Sequence, residues 1–166
     1  MSEAQHLAEA LTRHYAGSTP GAFLPFEVAT DSLTAAQAAA IPAPRFNSVW
    51  AIVNHVWFWQ EVLLRLLHNQ PASHELLGAP DGSGWAPAGD PTDEAAWQAA
   101  RKRALETNAT LAAAVARLSE AELVEELEAW RSPKHRAIQG IVAHNSYHTC
   151  EIISVRHMQG LWLERV

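Results

Sequence analysis

His144 and His148 are the side chains of this sequence best placed to do chemistry. They lie four residues apart in Ile141–Ile153, an apolar run with no Gly or Pro inside it. On a helix, four residues advance about 400°, so the rings lie about 40° apart on one face and about 6 Å apart along the axis. At that spacing two imidazoles can bind one metal ion. A third ligand must come from another helix, and His55 is the outstanding candidate.

His55 sits in Val49–Leu67, a stretch apolar on nearly every side, so its ring is expected to be buried. An unsatisfied polar group in a core costs about 1–3 kcal/mol, so a buried imidazole needs partners for its ring nitrogens. A metal satisfies one nitrogen and a carbonyl or carboxylate the other. A single core histidine is more often hydrogen-bonded and structural. Three of them on two neighbouring helices solve the problem together if they share an ion. Three protein nitrogens leave coordination positions open, as catalytic zinc sites do, whereas closed structural sites use four protein ligands. A water on such a zinc can have its pKa lowered to about 7. Imidazole ligation suits zinc, nickel, copper or iron alike.

Other residues near this stripe are weighed against it. Glu151 lies seven positions after His144, about 20° short of two turns, so it shares the stripe. It is a candidate fourth ligand, outer hydrogen-bond acceptor or general base; the plainer alternative is a glutamate at the surface edge. Asn145 and Tyr147 lie about 100° to either side and are expected to pack. Cys150 is expected to be a buried, inert small residue. His6, His14, His68, His74, His135 and His157 are expected to be solvent-facing or local, with His157 about half a turn out of phase with His148. Trp50, Trp57 and Trp59 point in several directions, with the core as their default place.

These side chains need helices to hold them. A first helix is predicted from about 3 to 16, with Leu7, Leu11 and His14 or Tyr15 on one side, and Gly17–Gly21 breaks it. Helix is expected to resume over Phe23–Val28. Thr34 and Gln37 form a capping box for a short helix ending before Pro42. Asn47 or Ser48 caps the helix carrying His55. Residues 70–91 read as a long Gly/Pro loop of the functional or mobile kind. Asp90 as N-cap and Pro91 open a third long helix bearing Trp97, Ala100, Ala104, Leu111 and Val115 at spacings of three and four. Asn108 falls on that inward stripe too. Ser119 and Glu122 cap a short helix, and 128–131 is expected to be an extended linker. Ser132-Pro133 opens the last long helix and Gly160 ends it. The expectation is all-α, an up-down four-helix bundle with short extra helices in the connections, in one domain spanning 1–166.

Composition narrows the partners. The 166 residues carry a formal charge of −6 and no basic stripe, which argues against nucleic acid. Polar residues such as Asn54, His55 and Glu61 interrupt Val49–Leu67, so a membrane span is not expected there. The lone Cys150 permits no internal disulfide, and no signal peptide is recognisable, so a cytoplasmic setting fits.

At Asn47–Val56 with Trp59 and Glu61, and at Gly140–Thr149 running on to Met158-Gln159-Gly160, the chain resembles the DinB-like (DinB/YfiT) superfamily of metal-dependent enzymes. The resemblance implies a four-helix bundle, often dimeric. It places the family's metal histidines on His55, His144 and His148, with zinc or nickel as the ion and water beside it. Two positions depart from the family's habit: Asn145 stands where an acidic residue commonly follows the first histidine, and Cys150-Glu151 stand where a small residue and Gln often occur. Characterised relatives include transferases and isomerases that use low-molecular-weight thiols. Two functions from different classes follow as expectations. One is a metal-dependent enzyme on a small molecule, either a thiol-dependent S-transferase or a hydrolase. The other is a non-catalytic stress or sensor bundle that its ion stabilises. A dimeric bundle with no metal, its histidines satisfied by carbonyls and waters, is the plainest alternative.

Overall fold

A computed structural model describes residues 1–16, 24–73, 84–85 and 87–163. Its elements are α1 (Glu3–Ala16), α2 (Phe26–Thr30), α3 (Ala35–Ala39), α4 (Val49–Leu67), α5 (Glu94–Val115), α6 (Glu120–Val124), β1 (Glu126–Leu127), β2 (Ser132–Pro133) and α7 (Lys134–Met158). Among the described residues the fold is all-α apart from one two-stranded hairpin. The Gly17–Gly21 break lies outside the described residues.

Helix ends follow local chemistry. The Ser48 hydroxyl accepts from Ala51 N and starts α4. Both capping boxes form, Thr34 with Gln37 and Ser119 with Glu122. Asp93, not Asp90, caps α5: its carboxylate accepts from Ala96 N. Asp90 instead closes the preceding turn by accepting from the amide and hydroxyl of Thr92. Either aspartate is a good cap by type; the turn at Pro91 moves the helix start three residues on. Residues 128–131 form the tight hairpin turn rather than an extended linker, with Arg131 at φ 48°. Gly160 ends α7 at φ 75°, where Leu161 N returns to Arg156 O as in a Schellman cap.

The four long helices touch in the pairs α1·α5, α4·α5, α4·α7 and α1·α7. Trp50 lies on Trp97, with ring centroids 5.5 Å apart, and further along Arg103 sits 3.8 Å over the Trp57 ring. Helices α4 and α5 therefore run the same way, and strict up-down alternation fails between them. The long connection after α4 explains this. A helix of 19 residues is about 28 Å long, and 68–93 has chain enough to return along its full length.

Among the described residues two large apolar clusters fill the interior, with a smaller one at Phe58 and Val62. One joins Val49, Ile52, Val53 and Val56 to Trp97, Ala104 and Ile152. The other joins Leu7, Leu11, Leu63, Leu111, Ile138 and Ile141. Each long helix also contributes a buried polar side chain: Tyr15 from α1, Gln60 from α4, Asn108 from α5 and Asn145 from α7. None is more than 2% exposed. The Gln60 amide faces the Tyr15 hydroxyl without a well-formed hydrogen bond.

Candidate metal centre

His55 is held by the middle of α4, and His144 and His148 project together from the middle of α7. The pairing of α4 with α7 brings the three rings into one group. Their centroids are 5.0 Å apart for His55–His144, 4.8 Å for His55–His148 and 4.4 Å for His144–His148. One ring nitrogen from each lies within 4.8 Å of the others. His55 Nε2 and His144 Nε2 are 3.1 Å apart. His55 and His148 are each 6% exposed, and His144 is half-buried.

The far sides of two rings are tied to oxygen. His55 Nδ1 donates to the Gly84 carbonyl at 2.9 Å, and His148 Nδ1 donates to Glu151 Oε2 at 2.7 Å. A carbonyl and a carboxylate accept only, so the protons of both rings sit on Nδ1 and the lone pairs on Nε2. Burial, more than any other cause, lowers the pKa of His144, to about 4, and the neighbouring His148 and His55 rings add to it. Burial lowers that of His55 as well, opposed by the Gly84 carbonyl. These causes favour neutral imidazoles with lone pairs available.

A divalent ion fits this donor set. Two nitrogens on one tetrahedral zinc are about 3.3 Å apart, from bonds of about 2.0–2.1 Å. The His55–His144 separation matches that, and ring rotation must close the wider ones. The outer hydrogen bonds are of the kind that fix metal-ligating histidines: a carbonyl on one ring and a carboxylate on another. Of its three expected roles, the geometry of Glu151 matches the outer acceptor: its oxygen reaches the side of His148 away from the lone pair.

The loop before α5 supplies what sequence reasoning missed. Trp85 stacks on His55 at 3.9 Å with planes 6° apart. Gly84, at φ 70°, brings its carbonyl to His55, and a Cβ there would meet Trp59 Nε1 at 2.9 Å. The left-handed backbone and the close approach both require glycine at this position. Nothing in the sequence separates Gly84 from the other glycines of 70–91, so the signal lay only in the loop's length and composition.

Other expectations divide. Asn145 packs inside, as expected. Tyr147 is 70% exposed, although its ring meets the edge of His148 at 5.0 Å. Cys150 is exposed rather than buried. His135 bonds to Leu123 O and His157 stacks on Trp162, so both stay local. His74 lies outside the described residues. Trp50 is core, while Trp57 and Trp59 are half-buried. No helix among the described residues is long and apolar enough to cross a membrane.

No curated protein and no solved structure matches the chain. The sequence model of one family does match it, over residues 26–151, a span that runs from the start of α2 through all three histidines to Glu151. The chain belongs to the DinB superfamily.

Proposed function

We propose that this protein binds one divalent metal ion, zinc or nickel, through His55, His144 and His148, and acts as a metal-dependent enzyme on a small molecule. The observation that carries the reading is the convergence of three ring nitrogens within 4.8 Å, with two of the rings fixed from behind by oxygen acceptors. The ion supplies Lewis acidity that lowers the pKa of a coordinated thiol or water. The chain's own residues do the rest. Gly84 and Glu151 hold His55 and His148 in the tautomer that presents Nε2. The Trp85 indole covers one face of His55 and limits access of bulk water there. Membership of the DinB superfamily, where thiol-dependent transfer occurs, favours S-transfer from a low-molecular-weight thiol; hydrolysis by activated water is the sibling reaction. The architecture we read is the four-helix bundle of that family, one domain, as a cytoplasmic homodimer without nucleic-acid or membrane partners.

A non-catalytic role has one observation in its favour: the cluster links α4, α7 and the Gly84–Trp85 loop, so an ion there also braces the fold. Elemental analysis of protein purified without a histidine tag comes first, with about one equivalent of metal expected. Thiol consumption with a panel of electrophiles, and ester or amide cleavage without thiol, then separate the two reactions. Activity should vanish in His148→Ala. Metal-loaded protein that turns over nothing, yet unfolds at much lower temperature after chelation, supports the non-catalytic role instead.

A further inference from the structure

The connection before α5 lies back along α4 and touches it repeatedly. The Gly84 carbonyl meets His55 Nδ1, and the Trp85 indole lies on the His55 ring. The Pro87 carbonyl accepts from Asn54 Nδ2 at 3.4 Å. Gly89 lies against the Trp50 indole with no room for a Cβ. Asn54 is buried and stands next to His55 in the chain. Helix α4 therefore presents two consecutive polar side chains to this strap, and each takes one of its carbonyls.

The Asn54 amide can stand only one way round. Arg103 Nη2, from α5, donates to Asn54 Oδ1 at 3.3 Å. A guanidinium only donates, and Pro87 has a carbonyl but no N–H, so the amide oxygen faces Arg103 and the nitrogen faces Pro87. Arg103 is itself held by α4. Its guanidinium sits 3.8 Å over the Trp57 ring, and the Glu61 carboxylate supports its charge. Asn54, Trp57 and Glu61 follow at i, i+3 and i+7, on one face of the helix. Both hydrogen bonds are long, but a charged donor at one end of the series polarises the bonds beyond it.

The strap bears on the proton of His55. The bond made by one ring nitrogen sets which nitrogen is protonated, so Nδ1 carries the proton while the Gly84 carbonyl accepts it. His55 Nε2 lies 3.1 Å from His144 Nε2. With the carbonyl withdrawn, the proton sits as well on Nε2, donated to His144, and the lone pair that a metal needs is lost. We infer that Asn54 is a positioning residue of this site: oriented by Arg103, it latches the strap at Pro87 and so keeps the Gly84 carbonyl behind His55. The effect on the ring stands by itself, and the effect on metal affinity rests on the metal reading.

Long-range proton–nitrogen NMR spectra of the metal-free full chain report the His55 tautomer at about pH 8, well above the ordinary histidine pKa. Wild type should show Nδ1–H, and Asn54→Ala a mixture with Nε2–H. Asn54→Asp is the sharper variant. It keeps the shape and the contact with Arg103 but has no donor for Pro87, so the tautomer should mix again. A merely structural Asn54 would lower Tm in Asn54→Ala and leave the tautomer alone. Another tautomer in wild type, or His55 still Nδ1–H in both variants, overturns the latch. Cobalt(II) titration followed by the visible spectrum tests the link to the metal. The affinity of Asn54→Ala should fall about 10-fold, the low end for a lost outer partner, and an unchanged affinity overturns that link. Should Asn54→Ala not fold, Arg103→Met, which keeps a stem over Trp57 and frees the amide to turn, takes its place in both measurements. Wild type that binds no cobalt removes the metal reading and the link with it, while the tautomer still decides the latch.

Discussion

Arg156 on α7 and the histidine cluster between α4 and α7 both gather basic side chains inside the fold, and they solve opposite problems. Arg156 is 4% exposed and donates through Nη1 to Ala29 O at 2.9 Å and Asp31 O at 2.8 Å, and through Nε to Leu161 O at 3.4 Å. Burial lowers its pKa, opposed by Asp31, but a guanidinium stays charged throughout the ordinary range. At the histidines, lone pairs gather in the same way with no charge of the chain's own to receive them. In both places the fold collects lone pairs around a point suited to a cation. At Arg156 the chain supplies that cation; at His55, His144 and His148 the proposed metal ion would. The first arrangement is a structural clasp between α7 and α2, and the second is a candidate site.

Mutation should separate the two most sharply at the ends. His148→Ala is expected to abolish retention of metal on dialysis while leaving the helical circular dichroism intact. Arg156→Ala should do the reverse, costing about 3 kcal/mol because charged hydrogen bonds are lost and buried carbonyls left unpaired, with metal stoichiometry unchanged in the cold. If both variants lose metal and stability together, the distinction between clasp and site does not hold.

Within the site, Glu151→Ala should weaken metal binding about 10–100-fold with little change in Tm, since the carboxylate acts through the His148 ring. A smaller effect is expected from Gly84→Ala, about 1–2 kcal/mol of stability for a non-glycine residue in the left-handed region, with a larger loss if the neighbouring rings cannot give way. Its companion readout is Trp fluorescence, which should report Trp85 moving off His55.

The pH response of the metal-free protein sharpens the comparison further. His144 is held near 4, against 6.5 for an unperturbed histidine. Between those values the unfolded chain binds more protons than the folded one. The contribution of this group is therefore complete above about pH 6.5 and is lost as pH falls toward about 4. His55, also lowered, acts in the same direction. Arg156 contributes no slope in this window because it keeps its proton in both states. Thermal melts from pH 7 to 4.5 should show falling Tm, less steeply in His144→Gln; identical slopes would exclude His144 as the cause.

The site was legible where one helix decides the geometry. The i, i+4 pair His144–His148 shares a face because helical pitch requires it, and Glu151 lies on the same stripe for the same reason. The capping boxes at Thr34 and Ser119 involve only residues three apart. Reading failed where neighbours decide. Asp90 and Asp93 are equally good caps until the turn at Pro91 is fixed. Cys150 lies on a face of α7 that periodicity defines but cannot declare covered or bare. The sense of α4 relative to α5 depends on how the long connection returns.

The sequence alone determined the long helices, most of their caps and the three histidines, since short-range hydrogen bonds and pitch act within a few residues of chain. Only the tertiary structure decided that Gly84 and Trp85 stand behind His55 and that Arg156 is a clasp. Those relations join residues tens of positions apart, and the packing of the whole chain selects among pairings that local pattern leaves equal.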